Sequence, residues 1–325
     1  LELARRTGYP LLAEASSQLR FGKRDGIAAI DRFDLVLAAE LAPEPALVLR
    51  IGAEPVAAAW QGAFAAAEHW QLASEWRDPD TRARVIAGDG AAALEALHAA
   101  VDAPRADRTF AAAWLAAEQR AAAAIEAAAA AHPRNEGDVL RAALGALPSG
   151  ALVQIGNSLP IRVVDHACTS LVDRRVVSQR GAAGIDGLVA SAAGATAAGP
   201  VLLVLGDVSF AHDLGGLLAT RHARAPLAIV VVDNAGGRIF GGLPVAAHAS
   251  PAAFERHWLA APAIDPVAIA AALGIAGVRA EAPSAIAAAV STALATPGTI
   301  VVHAPVAPTG ARDLRATALA TLRQS

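Results

Sequence analysis

The 325-residue sequence contains no methionine and a single cysteine, Cys168. One thiol excludes an internal disulfide and fits a reducing compartment, so a cytoplasmic location is expected. Aromatic residues make up only 4% of the chain, which leaves Ala, Val and Leu to build the cores. No apolar run approaches the roughly 20 residues that cross a bilayer, and no basic-then-apolar leader opens the chain; neither a membrane span nor an export signal is expected. The net charge of −3 gives no general attraction to nucleic acid or to an anionic membrane. The nine histidines form no HExxH and no paired Cys/His spacing, which argues against zinc. His166 and Cys168 lack a third, orienting group and do not read as a nucleophile and its base. The missing methionines, and a beginning inside the helical stretch 1–7, suggest a piece of a longer or processed protein.

What is present centres on residues 200–240. Residues 201–205 (VLLVL) and 228–232 (AIVVV) are fully apolar runs of strand length, joined through a segment of helical spacing at 214–221. Such a pattern indicates a buried parallel pair with a right-handed crossover. A polar turn follows each strand: Gly206-Asp207-Val208-Ser209 after the first, Asp233-Asn234-Ala235-Gly236-Gly237 after the second. Both turns fall at carboxyl ends of neighbouring strands, where open α/β sheets bind ligands. A carboxylate, an amide oxygen and loop carbonyls beside a helix N-terminus suit Mg²⁺ holding a pyrophosphate, because that ion shares its roughly six oxygen positions between protein and phosphate. Taken singly, Asp207 reads equally well as a helix cap and Asn234 as a turn residue.

The spacing joins them. Asn234 follows Asp207 by 27 positions (234 − 207), and this resembles the thiamine diphosphate motif of Gly-Asp, a spacer of about that length, then Asn. QIGNSLPIR at 154–162, SQRGAAGIDG at 178–187, GDVS at 206–209 and DNAGGRIF at 233–240 resemble the carboxyl-terminal part of the 2-succinyl-5-enolpyruvyl-6-hydroxy-3-cyclohexene-1-carboxylate (SEPHCHC) synthase family of menaquinone biosynthesis. The resemblance is dense over 135–310 and thin over 1–134. It implies thiamine diphosphate with Mg²⁺ or Mn²⁺, the metal held by Asp207, Asn234 and the Gly236 carbonyl. Gly206, Ser209, Gly237 and Phe240 would complete the cofactor contacts, and Ile239 would support its bent shape. Arg180 would take a substrate carboxylate, with Asn157 and Ser158 facing the same pocket.

By the same resemblance the substrates are 2-oxoglutarate, which is decarboxylated, and isochorismate, which receives the succinyl unit; the assembly is a homodimer or tetramer. The glutamate that assists cofactor activation lies in that family on a separate pyrimidine-binding domain, absent from these residues, so the chain alone is expected to hold half a site. Two departures bear on the substrate. Gln179 stands where the family usually has Asn in Ser-Asn-Arg, and Ala58-Ala59 stands where a basic pair can occur. Another thiamine-dependent decarboxylase or carboligase would share Asp207 and Asn234 but not SQRGAAGIDG; a non-catalytic cofactor-binding module is the other reading.

Taken in order, the chain divides into a central α/β domain, 1–133, and a diphosphate-binding domain, 134–325, each a doubly wound parallel sheet. In the first, 10–13 is a short strand, 33–38 and 47–51 are further strand-length apolar runs, and 85–87 is a last one. The dinucleotide fingerprint G-x-G-x-x-G is absent there, which argues against NAD or FAD. An Ala-rich helix at 108–131 ends at His132-Pro133. In the second, 138–147 is a helix, 151–155 a strand, Val163 and Val164 precede a polar loop, 176–177 is a strand and 185–198 a helix. Helices at 264–273 and 283–295 and a strand at 299–303 complete roughly six parallel strands. His212 and Asp213 read as solvated or capping.

Overall fold

The computed structural model describes residues 1–75, 82–101, 108–168 and 174–324. The chain is α/β, every sheet among the described residues is parallel, and it forms two compact units. One comprises Leu1–Glu14, Arg24–Ala124 and Thr321–Ser325; the other comprises Ala15–Lys23 and Ile125–Ala320.

In the first unit β1 (Leu11–Leu12) pairs with β2 (Ala29–Ile30), and β3 (Leu47–Ile51), β4 (Glu68–Ala73) and β5 (Arg84–Ala87) form a sheet in that order. Four of the chain's few aromatics meet edge to face in its core: Phe33 on Trp60 at 6.5 Å, Trp60 on Phe64 at 6.0 Å, and Phe64 on Trp114 at 6.1 Å. This is the favoured geometry for ring quadrupoles. Residues 33–38 form an α-helix, Phe33–Ala38, rather than a strand. A six-residue apolar run fits either state, and here Phe33 and Val36, three apart, are buried together. The central strand β4 carries no apolar run to announce it. Its Gln71 is buried and satisfied, accepting from Arg50 Nη2 at 2.6 Å and donating to the Gly52 carbonyl at 2.8 Å. Ala58 and Ala59 lie in a single turn, Ala58–Trp60.

The second unit is built on β6 (Leu152–Ile155), β7 (Arg175–Ser178), β8 (Val201–Gly206), β9 (Leu227–Asp233), β10 (Ala276–Arg279) and β11 (Thr299–Pro305). Their order is β10-β11-β9-β8-β6-β7. The chain enters at β6, steps to one side for β7 and returns to the other for β8, so the direction of winding reverses between β6 and β8. Val201, Leu203, Leu205, Ile229 and Val231 belong to a core with Leu188, Ala192, Leu217 and Ala270. The alternate residues Leu202, Val204, Ala228 and Val230 are equally buried. Since successive side chains of a strand point to opposite faces, the sheet is covered on both. Helices Leu159–Ala167, Leu188–Ala195, Pro266–Ala272 and Pro283–Ala295 supply much of that cover.

Four details differ from the sequence reading. Val163 and Val164 lie inside the helix Leu159–Ala167, whose apolar face they fill; the loop beyond it falls largely outside the described residues. The segment 214–221 winds as 3-10 turns, Leu214–His222, and the helix expected from 185 begins at Leu188, leaving Ile185 in the preceding loop. Edge strand β10 has one covered side and a sequence, Ala-Gly-Val-Arg, with no apolar run. Asp213 does cap, though not its own helix: its Oδ2 accepts from the Val189 and Ala190 amides at 2.6 and 3.2 Å, serving a helix whose own N-cap is the side-chain-free Gly187. No helix among the described residues is long and apolar enough to cross a membrane.

Candidate functional site

The winding reversal leaves a crevice at the carboxyl ends of β6, β8 and β9, the place where such sheets bind ligands. A cleft there is lined by Ser158, Gly206, Asp207, Ser209, Asn234, Gly236, Gly237, Ile239 and Phe240, nine residues singled out in the sequence, together with Glu136, Ile185, Arg238 and others. Its polar side chains are buried: Asp207 is 4% exposed, Ser209 3% and Asn234 6%.

Asp207 opens the helix Asp207–His212, and its Oδ2 accepts the Gly236 amide proton at 2.7 Å. Burial pushes this carboxyl up to about 6; the Gly236 hydrogen bond opposes the rise and the charge of Asp233 adds to it. Asn234 donates from Nδ2 to Glu136 Oε1 at 3.0 Å, while its Oδ1 is buried without a hydrogen-bond partner. Leaving such an oxygen unpaired costs about 1–3 kcal/mol, so it calls for a ligand. Among the described residues no cluster of three or more His, Cys, Asp and Glu side chains could hold a metal. A cation here would be held by one carboxylate, one amide oxygen and backbone carbonyls, a donor set for a hard ion such as Mg²⁺.

The glycine loop owes its shape to close backbone contacts. Ala235 (φ 60°) and Gly236 (φ 113°) both have positive φ. The Ala235 amide donates to Asp233 Oδ1 at 3.0 Å, and Asp233 Oδ2 meets His303 Nε2 at 2.8 Å. That histidine bond holds the Asp233 carboxyl below the usual range. Gly237 donates to the Leu259 carbonyl at 2.6 Å, and a Cβ at Gly236 would stand 2.5 Å from the same oxygen. Arg238 Nε donates to the Asn234 carbonyl at 3.0 Å, closing the turn. Ser158 is a non-glycine residue at φ 70°, ψ −130°, a costly conformation of the kind that concentrates at functional sites.

Arg180 and Asn157 are brought together beside this cleft without being among its lining residues. Arg180 Nη1 donates to Asn157 Oδ1 at 3.0 Å, and Asn157 Nδ2 donates to the Gly184 carbonyl at 2.7 Å. Both ends of the buried Asn157 amide are thus engaged in aiming the arginine and holding its loop. Gln179 donates to Ser191 Oγ at 2.8 Å and to the Gly187 carbonyl at 3.2 Å, fastening the same loop to the helix Leu188–Ala195.

Glu136 was not legible as a site residue. It is 2% exposed, at the start of the helix Glu136–Gly145 and more than 70 residues before Asp207. Burial raises its carboxyl above the usual range; the Asn234 hydrogen bond and the Ala311 amide oppose that rise. In the sequence, Asn135-Glu136 has the look of an ordinary helix start, and Asn135 is indeed the N-cap, accepting from the Asp138 amide at 3.0 Å.

Residues 162–304 match the family model described as thiamine pyrophosphate enzyme, C-terminal TPP binding domain. Curated proteins named 2-succinyl-5-enolpyruvyl-6-hydroxy-3-cyclohexene-1-carboxylate synthase match over most of the chain. The one from Sorangium cellulosum is 40% identical, covering 95% of this chain and 53% of its own length. Those from Myxococcus xanthus (39%, covering 90% and 51%) and Geobacillus kaustophilus (38%, covering 76% and 44%) are similar in extent. The chain spans about half the length of the curated relatives it matches. Over about half of their length the chain is similar to proteins named as SEPHCHC synthases, and within it lies the match to the thiamine pyrophosphate binding domain.

Proposed function

We propose that this chain provides the diphosphate-binding side of a thiamine-diphosphate-dependent transferase active site, in an enzyme of menaquinone biosynthesis that decarboxylates 2-oxoglutarate and joins the succinyl unit to isochorismate. The buried, unpartnered Oδ1 of Asn234 beside the Asp207 carboxylate carries this reading. In it, residues 134–325 form the cofactor domain and 1–133 the central domain. Asp207, Asn234 Oδ1 and the Gly236 carbonyl hold Mg²⁺ or Mn²⁺; Gly206, Ser209 and Gly237 face the diphosphate. Ile239 and Phe240 pack against the cofactor body, with a branched side chain at 239 giving a stiff support.

Thiamine diphosphate supplies an electron sink for decarboxylation and carboligation. The chain's own residues bind and orient. Arg180, aimed by Asn157, presents its guanidinium to a substrate carboxylate, a geometry suited to a planar fork. Buried side chains around Asp207 exclude water and strengthen its attraction for a cation. The pyrimidine-binding domain, with its glutamate, comes from outside these residues, and the assembly is a homodimer or tetramer in the cytoplasm.

Isothermal titration of thiamine diphosphate with Mg²⁺ into the chain, beside Asp207→Ala, tests the reading. Binding by the parent and its loss in the variant is the expected result. A folded parent chain that binds neither would overturn it. Decarboxylation of 2-oxoglutarate after addition of a separately produced pyrimidine domain then separates a catalytic half-site from a module that only binds.

A further inference from the structure

Asn234 is useful to a cation only in one of two nearly isosteric orientations. With Oδ1 toward the cleft it offers a ligand; rotated by a half turn about its last bond, it offers two N–H donors, which repel a cation. Nothing in the asparagine itself chooses between them. Its choice is made by what lies behind it.

Behind it lies Glu136, with Oε1 at 3.0 Å from Nδ2. Oε1 accepts from Nδ2, so it rewards the orientation with Nδ2 toward it and opposes the flipped one, which would set two oxygens face to face. The carboxylate is itself held. Asn135 caps the helix on which it sits, accepting from the Asp138 amide and donating to the His132 carbonyl at 2.8 Å. The positive end of a ten-residue helix favours a charge at its first position. Oε2 has no hydrogen bond of normal geometry and lies toward Gly310, where a Cβ would be 2.8 Å away. That packing limits rotation of the carboxylate.

We infer that Glu136 is a positioning residue, which fixes the Asn234 amide so that Oδ1 faces the cation of the cleft. The inference rests on the reading of the cleft as a metal and diphosphate site. The role runs through Asn234 and requires no contact between Glu136 and the cofactor. Partners of this kind, one step behind a metal ligand, typically change metal affinity 10- to 100-fold when lost.

The test is Mn²⁺ affinity, read from the electron paramagnetic resonance signal of the free ion, in the whole chain at saturating thiamine diphosphate. E136A is expected to weaken Mn²⁺ binding about 10- to 100-fold. E136Q keeps both the side-chain volume and an acceptor for Nδ2 and is expected to stay within about threefold of the parent; the double variant E136Q/N234D separates the hydrogen bond from packing. A second pair does not depend on the folding of E136A. N234D sets a carboxylate against Glu136 and lowers affinity, whereas E136Q/N234D restores a donor–acceptor pair and recovers at least about tenfold over N234D. Parent-like Mn²⁺ binding by E136A, a fall of E136Q to the level of E136A, or a double variant no better than N234D would each overturn the inference. Absence of Mn²⁺ binding in the parent would instead remove the metal-site reading and this inference with it.

Discussion

Replacing Gly236 by alanine tests whether the glycine loop is set by backbone contact. Two costs add. At φ 113° an L side chain is strained whatever space surrounds it, a cost on the order of 1–3 kcal/mol. The new Cβ would also lie 2.5 Å from the Leu259 carbonyl oxygen, 3.0 Å from its carbon and 3.2 Å from Ala261 Cα. These are backbone atoms, which cannot rotate away as a side chain can. Relief requires a shift of the loop, and a shift breaks the 2.7 Å bond from the Gly236 amide to Asp207. Overpacking of this kind costs about 1–3 kcal/mol, so the sum is roughly 2–6 kcal/mol. At ~2–4 °C per kcal/mol for a unit of about 200 residues, melting should fall by roughly 5–25 °C.

The control is Gly274→Ala. Gly274 also has positive φ (73°), but nothing lies within 4 Å of its would-be Cβ. It carries strain alone, about 1–2 kcal/mol. Thermal melts of both variants by circular dichroism, with calorimetric titration of thiamine diphosphate and Mg²⁺, make the comparison. Gly236→Ala should melt well below Gly274→Ala and bind at least about tenfold more weakly than the parent, a difference of ~1.4 kcal/mol. Equal melting of the two variants would refute the contact argument, and parent-like binding would show that the loop's exact path is unimportant.

Asp207→Asn removes a charge that the fold holds at a cost. With its folded-state value at about 6, above the ordinary carboxylate value of ~3.9, Asp207 contributes stability that is fully present below pH ~4 and is lost as pH rises through about 6. The loss amounts to roughly 2–3 kcal/mol. Without cofactor, Asp207→Asn should therefore melt above the parent at pH 7.5, converge with it near pH 4, and bind Mg²⁺ poorly at either; a parent-like melt at pH 7.5 would contradict this. Asn157→Ala should leave Arg180 and the Gly184 carbonyl short of a partner, lowering stability by about 1–3 kcal/mol while thiamine diphosphate affinity stays within roughly threefold. Melting and calorimetry on the same sample check both halves.

The cleft was legible because two kinds of signal coincided. Strands β8 and β9 are buried on both faces, so their sequences are unbroken apolar runs, and the polar residues that interrupt them mark the strand ends where a ligand can sit. What stayed illegible lacked one of those signals. Strand β4 is central yet carries Gln71, whose polarity is satisfied by Arg50 and Gly52; burial was possible there only because partners from elsewhere arrive. The helix Phe33–Ala38 is as apolar as a strand, and its state follows from the Trp60 ring beside Phe33. Tertiary contact decides both, and periodicity does not contain it.

Glu136 shows the same limit at the site. A motif reads outward from residues that touch the ligand, because ligand chemistry restricts their types and the strand framework restricts their spacing. Asp207 and Asn234 are bound by both restrictions. Glu136 lines the cleft, but its side-chain bond to a motif residue is to Nδ2 of Asn234, across 98 positions of sequence. Any acceptor arriving there could perform the task, so neither type nor spacing gives it away. What reveals it is a pair of facts that only coordinates supply: a buried amide with one end bonded and the other end open. On the proposed reading the open end faces the ligand, and the bonded end names the residue that keeps it open.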